Sequence, residues 1–266
     1  MLISVIVTTY NRPDALALVL EGLAQQNVHN FEVLVADDGS TAQTKAVVDK
    51  KHWPFPITHV WHEDQGFRAA RIRNVAAEQA VGEYFIFIDG DCVPRSDFIQ
   101  RHEALAEAGW FVSGSRVLLN PTLTAAALSG QKKILSWSKW QWFLARLTGQ
   151  CNRLLPLLNI PFLPRKNVAQ EWRGAKTCNL AIWRVDFFRI AGFDEQFTGW
   201  GYEDSDLVIR LLRANLRRKQ GKNAVTVLHL WHKENDRQHE SENWQRLMRS
   251  TQSHSITPNK ITSPEN

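Results

Sequence analysis

"YFIFIDGDCVP", residues 84–94, sets an unbroken apolar run against two acids separated by one glycine. Parallel strands covered on both faces by helices read as continuous hydrophobic runs, so Phe85 to Ile88 are expected inside such a sheet. Asp89 and Asp91 do not fit that interior. Neighbouring carboxylates repel each other and lose hydration on burial, which places them where the strand emerges at its carboxyl end. Toward the N-terminus the same grammar recurs: "ISVIVT" (3–8), a helical stretch from Pro13, "FEVLVAD" (31–37), a stretch around 41–50, "ITHVWHE" (57–63) and a helical stretch over 68–80. Pro13 suits a first helical position, and Leu16, Val19, Leu20 and Leu23 follow the spacing of a helix packed on one face. The alternation predicts an α/β fold built on one doubly wound, mostly parallel sheet flanked by helices.

In such sheets ligands bind beyond the carboxyl ends of the strands. Three strand ends carry polar clusters: "TTYNR" (8–12), "DDGS" (37–40) and "DGD" (89–91). Any one alone reads as an ordinary turn, because Asp, Gly, Asn and Ser are turn formers. Three in phase point to a site. Asp89 and Asp91 around a glycine suit a hard divalent cation bound to a diphosphate, since Mg²⁺ or Mn²⁺ takes few protein carboxylates and completes its shell with phosphate and water. Gly90 would let the backbone approach a ligand closely.

Beyond residue 115 the character changes. Residues 116–175 form a basic, Trp-rich stretch expected as a helical insert, and a third regime begins near Lys176 with a strand in "TCNLAIW", then "FDEQFTGWGYEDSDLVIRLLRAN" and a last strand in "AVTVLHL". The expected organisation is 1–115, 116–175, 176–250, and a polar, disordered tail over 251–266. The chain has 266 residues, 44% of them hydrophobic, enough for a substantial core without disulfides or structural metal. Three cysteines without CxxC spacing point to a reducing compartment and against a zinc ribbon. No basic-then-apolar leader opens the chain, and "LLPLLNIPFL" (154–163) is too short and too proline-broken to span a bilayer. A cytoplasmic location is expected. The net charge of +5 favours anionic partners.

The segments "SVIVTTYNRPDALALVLEGLAQQ", "FEVLVADDGS" and "GFRAARIRNVAAEQAVGEYFIFIDGD" together resemble the nucleotide-sugar half of the family-2 glycosyltransferases, whose fold is GT-A type. "GFDEQFTGWGYEDSDLVIRL" is similar to the acceptor-side segment of animal beta-galactosyltransferases and bacterial chondroitin polymerases. The resemblance implies that Thr9, Tyr10 and Arg12 surround a nucleotide and that Asp38 accepts a hydrogen bond from uracil. It places Arg73 near the diphosphate, Asp89 on the ribose side, Gly90 against the nucleotide-sugar, and Asp91 on the metal, Mn²⁺ or Mg²⁺. It further implies Asp204 as catalytic base, Glu203 beside it on the acceptor sugar, and a downstream histidine on the metal, for which "HLWHKEN" offers His229 and His232.

The residues support those roles on their own chemistry. Inversion at an anomeric carbon needs one base for the acceptor hydroxyl and an electrostatic clamp for the leaving diphosphate. Adjacent acids at a helix start project about 100° apart, so Glu203 and Asp204 can hold different partners. Acids in "EDSD" also complement a helix dipole, which accounts for Asp206 and, as an alternative, for Glu203. Trp200 between Gly199 and Gly201 is either a sugar-stacking platform beside Gly201 or a core residue. If the last strand continues through "LHLWH", His229 and His232 face opposite ways, and His232 at its end is the preferred ligand.

The insert's Trp, Lys and Arg content suits peripheral contact with the inner face of an anionic membrane, or a packed helical subdomain with its tryptophans turned inward. The expected partners are a UDP-sugar donor and a glycan or lipid-linked glycan acceptor, consistent with lipopolysaccharide or capsule biosynthesis. Two rivals are weighed. A sugar-nucleotidyltransferase would carry a glycine-rich phosphate loop after the first strand, which "TTYNRPD" lacks. A non-catalytic glycan- or nucleic-acid-binding module conflicts with the acidic constellation, which repels phosphates unless a metal intervenes, so no nucleic-acid partner is expected.

Overall fold

Each apolar run of the first half becomes a strand. In chain order the elements are β1 (Ile3–Thr9), α1 (Pro13–Ala24), β2 (Phe31–Asp37), α2 (Ala42–Asp49), β3 (Ile57–Trp61), α3 (Ala69–Gln79) and β4 (Tyr84–Asp89). They are followed by β5 (Cys92–Pro94), α4 (Phe98–Leu105), β6 (Trp110–Ser113), β7 (Ser115–Leu118), α5 (Pro121–Leu128), α6 (Lys139–Leu147), β8 (Asn179–Trp183), α7 (Arg184–Arg189), α8 (Glu203–Arg213), β9 (Arg217–Gln220), β10 (Thr226–His229) and α9 (Glu240–Gln252). The computed structural model describes residues 1–50, 52–158, 164–233 and 236–258.

The main sheet has the order β3-β2-β1-β4-β8-β6-β9 and is mostly parallel; β8 alone runs against its neighbours β4 and β6. Alternate side chains serve two separate cores. Val5, Val7, Val33, Val35, Ile86 and Ile88 join Leu16, Val19, Leu20 and Leu23 of α1 on one face. Ile6, Leu34, Ala36, Phe85 and Phe87 join Ala70, Ile72, Ala76 and Ala77 of α3 on the other. Burial on both faces is why these strands read as continuous apolar runs.

The reversed strand positions the site. Asn179, the first residue of β8, pairs with Ile88 near the exit of β4, so residues 176–178 arrive beside Asp89 and Asp91. The strand expected in "AVTVLHL" forms as β10, but in a second, three-stranded sheet ordered β5-β10-β7. That sheet carries His229 directly across from Cys92, the residue after Asp91.

One strand has no counterpart among the expectations, and two expectations need correction. Strand β9, "RRKQ", has no apolar signature; Arg218 is held by Ser113 Oγ and the carbonyls of Glu171 and Arg173, and Lys219 by Glu107 and the Leu105 carbonyl. The insert is helical only in part: it opens in β7, holds α5, α6 and two 3-10 turns, and among its described residues has no α-helix after Leu147. The tail expected to be disordered from 251 begins inside α9, which reaches Gln252, and Ile256 packs against the second core. Residues 259–266 of that tail lie outside the described residues. Among the described residues no helix is long and apolar enough to cross a membrane.

Candidate active site

The carboxyl ends of β1, β2 and β4, the start of α8, the residues before β8 and the end of β10 enclose a cleft of about 780 Å³. Every residue singled out in the sequence lines it: Thr9, Tyr10, Arg12, Asp38 and Arg73; Asp89, Gly90 and Asp91; Trp200, Gly201, Glu203 and Asp204; His229 and His232.

The β1 and β2 ends build one wall. Asp38 is buried, with one carboxylate oxygen on His62 Nε2 at 2.6 Å and the other accepting the Arg68 backbone N–H at 2.8 Å. Burial pushes its carboxyl above the usual range, and the Arg68 and His62 bonds pull it back. Asp37 is turned away, held by His59 and the Ser40 N–H. Tyr10 stands half-exposed at the rim and donates to Asp64 at 2.8 Å. Thr9 Oγ1 is buried beside Gly90 and has no hydrogen-bond partner among the described residues. The turn at Gly90 is tight: a Cβ there would lie 2.9 Å from Thr9 Cβ and Oγ1 and 3.1 Å from the Thr8 carbonyl.

Arg73 is the brace across the cleft floor. It is almost fully buried, with Nη2 3.2 Å from Asp89, Nη1 3.2 Å from Glu203 and Nε donating to Thr8 Oγ1 at 2.9 Å. One guanidinium thus ties α3 to the ends of β1 and β4 and to α8. Burial pushes the Asp89 carboxyl up to about 6, with Arg73 opposing and Asp91 and Glu203 adding to the rise. Glu203 is raised in the same way, by burial first and then by Asp204.

The helix start of α8 separates its acids. Gly201 at φ +113° and Tyr202 at φ +72° turn the chain into the helix, a conformation that glycine takes without strain. Glu203 then points to Arg73 and Asp204 to Lys176, whose Nζ is 3.4 Å away. Asp206 does not serve the helix dipole alone: it faces inward, pairing with the buried Arg210 at 2.8 Å and accepting from Ser250. Trp200 is half-buried on the cleft wall with the Arg237 guanidinium 5.0 Å from its ring centroid, so it is not a core residue.

Asp91, His229 and His232 converge, their ligand atoms within 4.8 Å of one another. The expectation that the two histidines face opposite ways fails because β10 ends at His229, so strand alternation does not extend to His232. His229 Nε2 lies 3.7 Å and His232 Nε2 3.3 Å from Asp91, which also meets Arg12 at 3.2 Å and the Cys92 thiol at 3.5 Å. His232 Nδ1 lies 2.7 Å from the Lys233 carbonyl and can only donate to it. Its Nε2 then faces the Asp91 carboxylate, an arrangement that also suits a cation held between them. Burial holds the His229 ring below its ordinary pKa, which favours the neutral, ligating form. Two nitrogens and a carboxylate fit Mn²⁺ or a similar divalent ion. A second group, Asp89 with Cys92 and Cys178, fits less well, since burial pushes the Cys92 thiol up and keeps it protonated. The three cysteines are buried and free.

Lys176, Arg116, Cys178 and Arg237 also line the cleft and were missed in the sequence. The direction of β8, which brings Lys176 and Cys178 in, has no local signal. Arg116 and Arg237 lie in stretches where basic residues are common.

The model of the family described as glycosyl transferase family 2 matches residues 4–156, and that described as the N-terminal domain of galactosyltransferase matches 162–233. Validoxylamine A glucosyltransferase of Streptomyces hygroscopicus subsp. jinggangensis is 33% identical over 226 residues, 79% of this chain and 51% of that protein. Chondroitin synthase of Escherichia coli is 26% identical over 234 residues, 79% of this chain and 32% of that protein. The chain thus spans about half the first relative's length and a third of the second's. Among solved structures, residues 1–349 of S. aureus TarS in complex with UDP superpose with a TM-score of 0.62 at 18% identity, over 94% of this chain and 64% of that one. At that identity the likeness is one of fold.

Proposed function

The chain belongs to glycosyl transferase family 2 and has a GT-A type fold, and from that premise we propose an inverting hexosyltransferase that moves a hexose or N-acetylhexosamine from a UDP-sugar to a glycan acceptor. One observation carries the reading: the Asp91–His229–His232 group and the Asp204–Lys176 pair line the same cleft.

In this reading residues 1–115 hold the donor. Asp38, fixed by His62 and Arg68, accepts from the uracil N–H with its remaining lone pairs. Thr9 Oγ1 and the rim residues Tyr10 and Arg12 surround the nucleotide, and Asp89 and the close backbone at Gly90 meet the ribose. Asp91, His229 and His232 would hold Mn²⁺ or Mg²⁺, which when bound neutralises the leaving diphosphate. Arg73 supports this site by fixing Asp89, since both of its pairs are already made to carboxylates.

Residues 176–250 receive the acceptor. Asp204 takes the proton from the acceptor hydroxyl as that oxygen bonds to the anomeric carbon and the bond to the diphosphate breaks. Lys176 fixes the Asp204 carboxylate at the reaction centre. Glu203, held by Arg73, and the Trp200 ring orient the acceptor sugar, an indole face matching the apolar face of a pyranose. A bacterial surface glycan, such as a lipopolysaccharide core or capsule chain, is the acceptor class favoured by the bacterial relatives and the basic insert, and it places the enzyme at the cytoplasmic side of the membrane.

Calorimetric titration with UDP, in Mn²⁺ and again in a chelator, tests the donor site, with GDP and CDP as controls. Metal-dependent preference for UDP is expected. Binding of all three nucleotides alike, or none in either condition, would refute it.

A further inference from the structure

The helix α6 is built inside out. Its buried side chains are Trp142 and Ala145, while Trp140, Phe143, Leu144 and Leu147 face solvent. These four follow the i, i+3, i+4, i+7 spacing that normally marks the face turned toward a core. Trp140 is 65% and Leu147 67% exposed, and the Trp140 and Phe143 rings stack on each other at 5.2 Å between centroids. On this helix Trp142 packs inward against Trp137, as a packed subdomain requires, whereas Trp140 does not. Exposure of such an apolar arc to water is unfavourable unless something covers it.

The charge around the arc identifies what that is. From residue 108 to residue 170 the sequence holds eight lysines and arginines and no aspartate or glutamate; Arg116 among them lies in the cleft and Lys166 pairs with Glu107, so the cations that border the arc are those of α6 itself. At about 100° per residue, Lys139 and Arg146 flank the apolar arc along one side, and both are exposed. Aromatic and aliphatic side chains bordered by cations suit the boundary between acyl chains and anionic headgroups.

The face is also tied to the cleft. The chain leaving α6 returns to the cleft rim through a bridge between Leu119 and Cys151, with Asn120 N–H donating to the Gln150 carbonyl at 3.0 Å and Leu118 N–H to Asn152 at 3.0 Å. Leu118 and Leu119 line the cleft, as does Trp231, which is 49% exposed and whose N–H is held by Thr124 of α5.

We propose that the outer face of α6 docks on an anionic bilayer, with Trp140, Phe143, Leu144 and Leu147 entering the interface and Lys139 and Arg146 on its headgroups, so that the cleft mouth meets acceptors anchored in that membrane. Docking deepens the acceptor reading but does not need catalysis. A protein that binds vesicles yet transfers no sugar would therefore count against the transferase details alone.

The test is co-sedimentation of the full chain with vesicles of phosphatidylcholine and of phosphatidylcholine with phosphatidylglycerol in equal parts. Binding is expected only with the anionic lipid, weakened by salt, and reduced about tenfold or more both in a Trp140→Ser/Leu147→Ser variant and in a Lys139→Glu/Arg146→Glu variant. All four positions are exposed, and an unchanged circular dichroism spectrum and thermal unfolding midpoint verify that each variant is folded. Absence of binding to anionic vesicles, or equal binding by all three proteins, would overturn the proposal. So would a dimer in solution that the Trp140→Ser/Leu147→Ser variant dissolves, which would assign the face to a second copy.

Discussion

Replacing Arg73 by Met removes a cation from between two carboxylates that remain. The stem volume is roughly kept, so the main loss is the pairing to Asp89 and Glu203 and the bond to Thr8. Breaking a buried ion pair by deleting one partner costs about 3–5 kcal/mol, because the other charge stays desolvated. That figure applies while both carboxyls are ionised. Asp89 already titrates at about 6 in the folded protein, above its unfolded value, and Glu203 is raised too. A carboxyl raised on folding is penalised once ionised, so the penalty is absent below the unfolded pKa and fully present above the folded one. Without Arg73 both folded values rise further. The deficit of Arg73→Met relative to wild type should therefore be largest near about pH 8 and shrink toward pH 5, by up to about 1.4 kcal/mol per pH unit for each proton the variant takes up in excess. Urea unfolding of both proteins across that range measures it. A deficit that stays constant with pH would show that the lost stability comes from packing and that the two acids are not charge-coupled to Arg73.

The proposed cation site offers a second pH test: imidazole binds a metal only when neutral, so Mn²⁺ affinity in the presence of UDP should fall as pH drops below the range in which the buried His229 ring stays neutral, and calorimetry showing no such fall would remove the histidines from the metal. Asp91→Ala should abolish the Mn²⁺-dependent part of UDP binding and leave the part seen in chelator, whereas unchanged metal dependence would reassign the ligand. Asp204→Asn should lower transfer by about 10²–10⁴ with nearly unaltered UDP affinity, in line with loss of a general base; parallel loss of both would remove Asp204 from that role. Gly90→Ala should cost about 1–3 kcal/mol by thermal or urea unfolding, since its methyl meets Thr9 and the Thr8 carbonyl, and an unaltered midpoint would mean the turn relaxes freely.

The first half of the fold was legible because its strands are enclosed on both faces and its helices on one, so periodicity maps directly onto burial. The site was legible for a related reason. Acids at the ends of apolar runs have few structural uses, and "DDGS", "DGD" and "GYED" therefore stood out in a chain where most charges are solvated. What stayed hidden depends on partners distant in sequence. The cations of β9 are buried against carbonyls and acids that no local pattern announces. Asp206 reads like its neighbours Glu203 and Asp204, yet it stays out of the cleft lining and is held by the distant Ser250 as well as by Arg210. The two histidines were assigned to opposite faces by extending a strand rule past the residue where the strand stops.

The reversed strand β8 bears on how such a chain can change over time. The family matches divide the sequence near residue 160, which suggests two exchangeable cassettes. The sheet contradicts that division: β8, from the second segment, is inserted between β4 and β6, both from the first, and its register fixes where Lys176 stands beside the DGD turn. Recombination at that boundary would have to preserve two strand registers at once. If Trp200 and Glu203 hold the acceptor as proposed, new acceptor preferences are expected to arise through substitutions around them, with the β8 pairing inherited intact, rather than by wholesale exchange of the second segment.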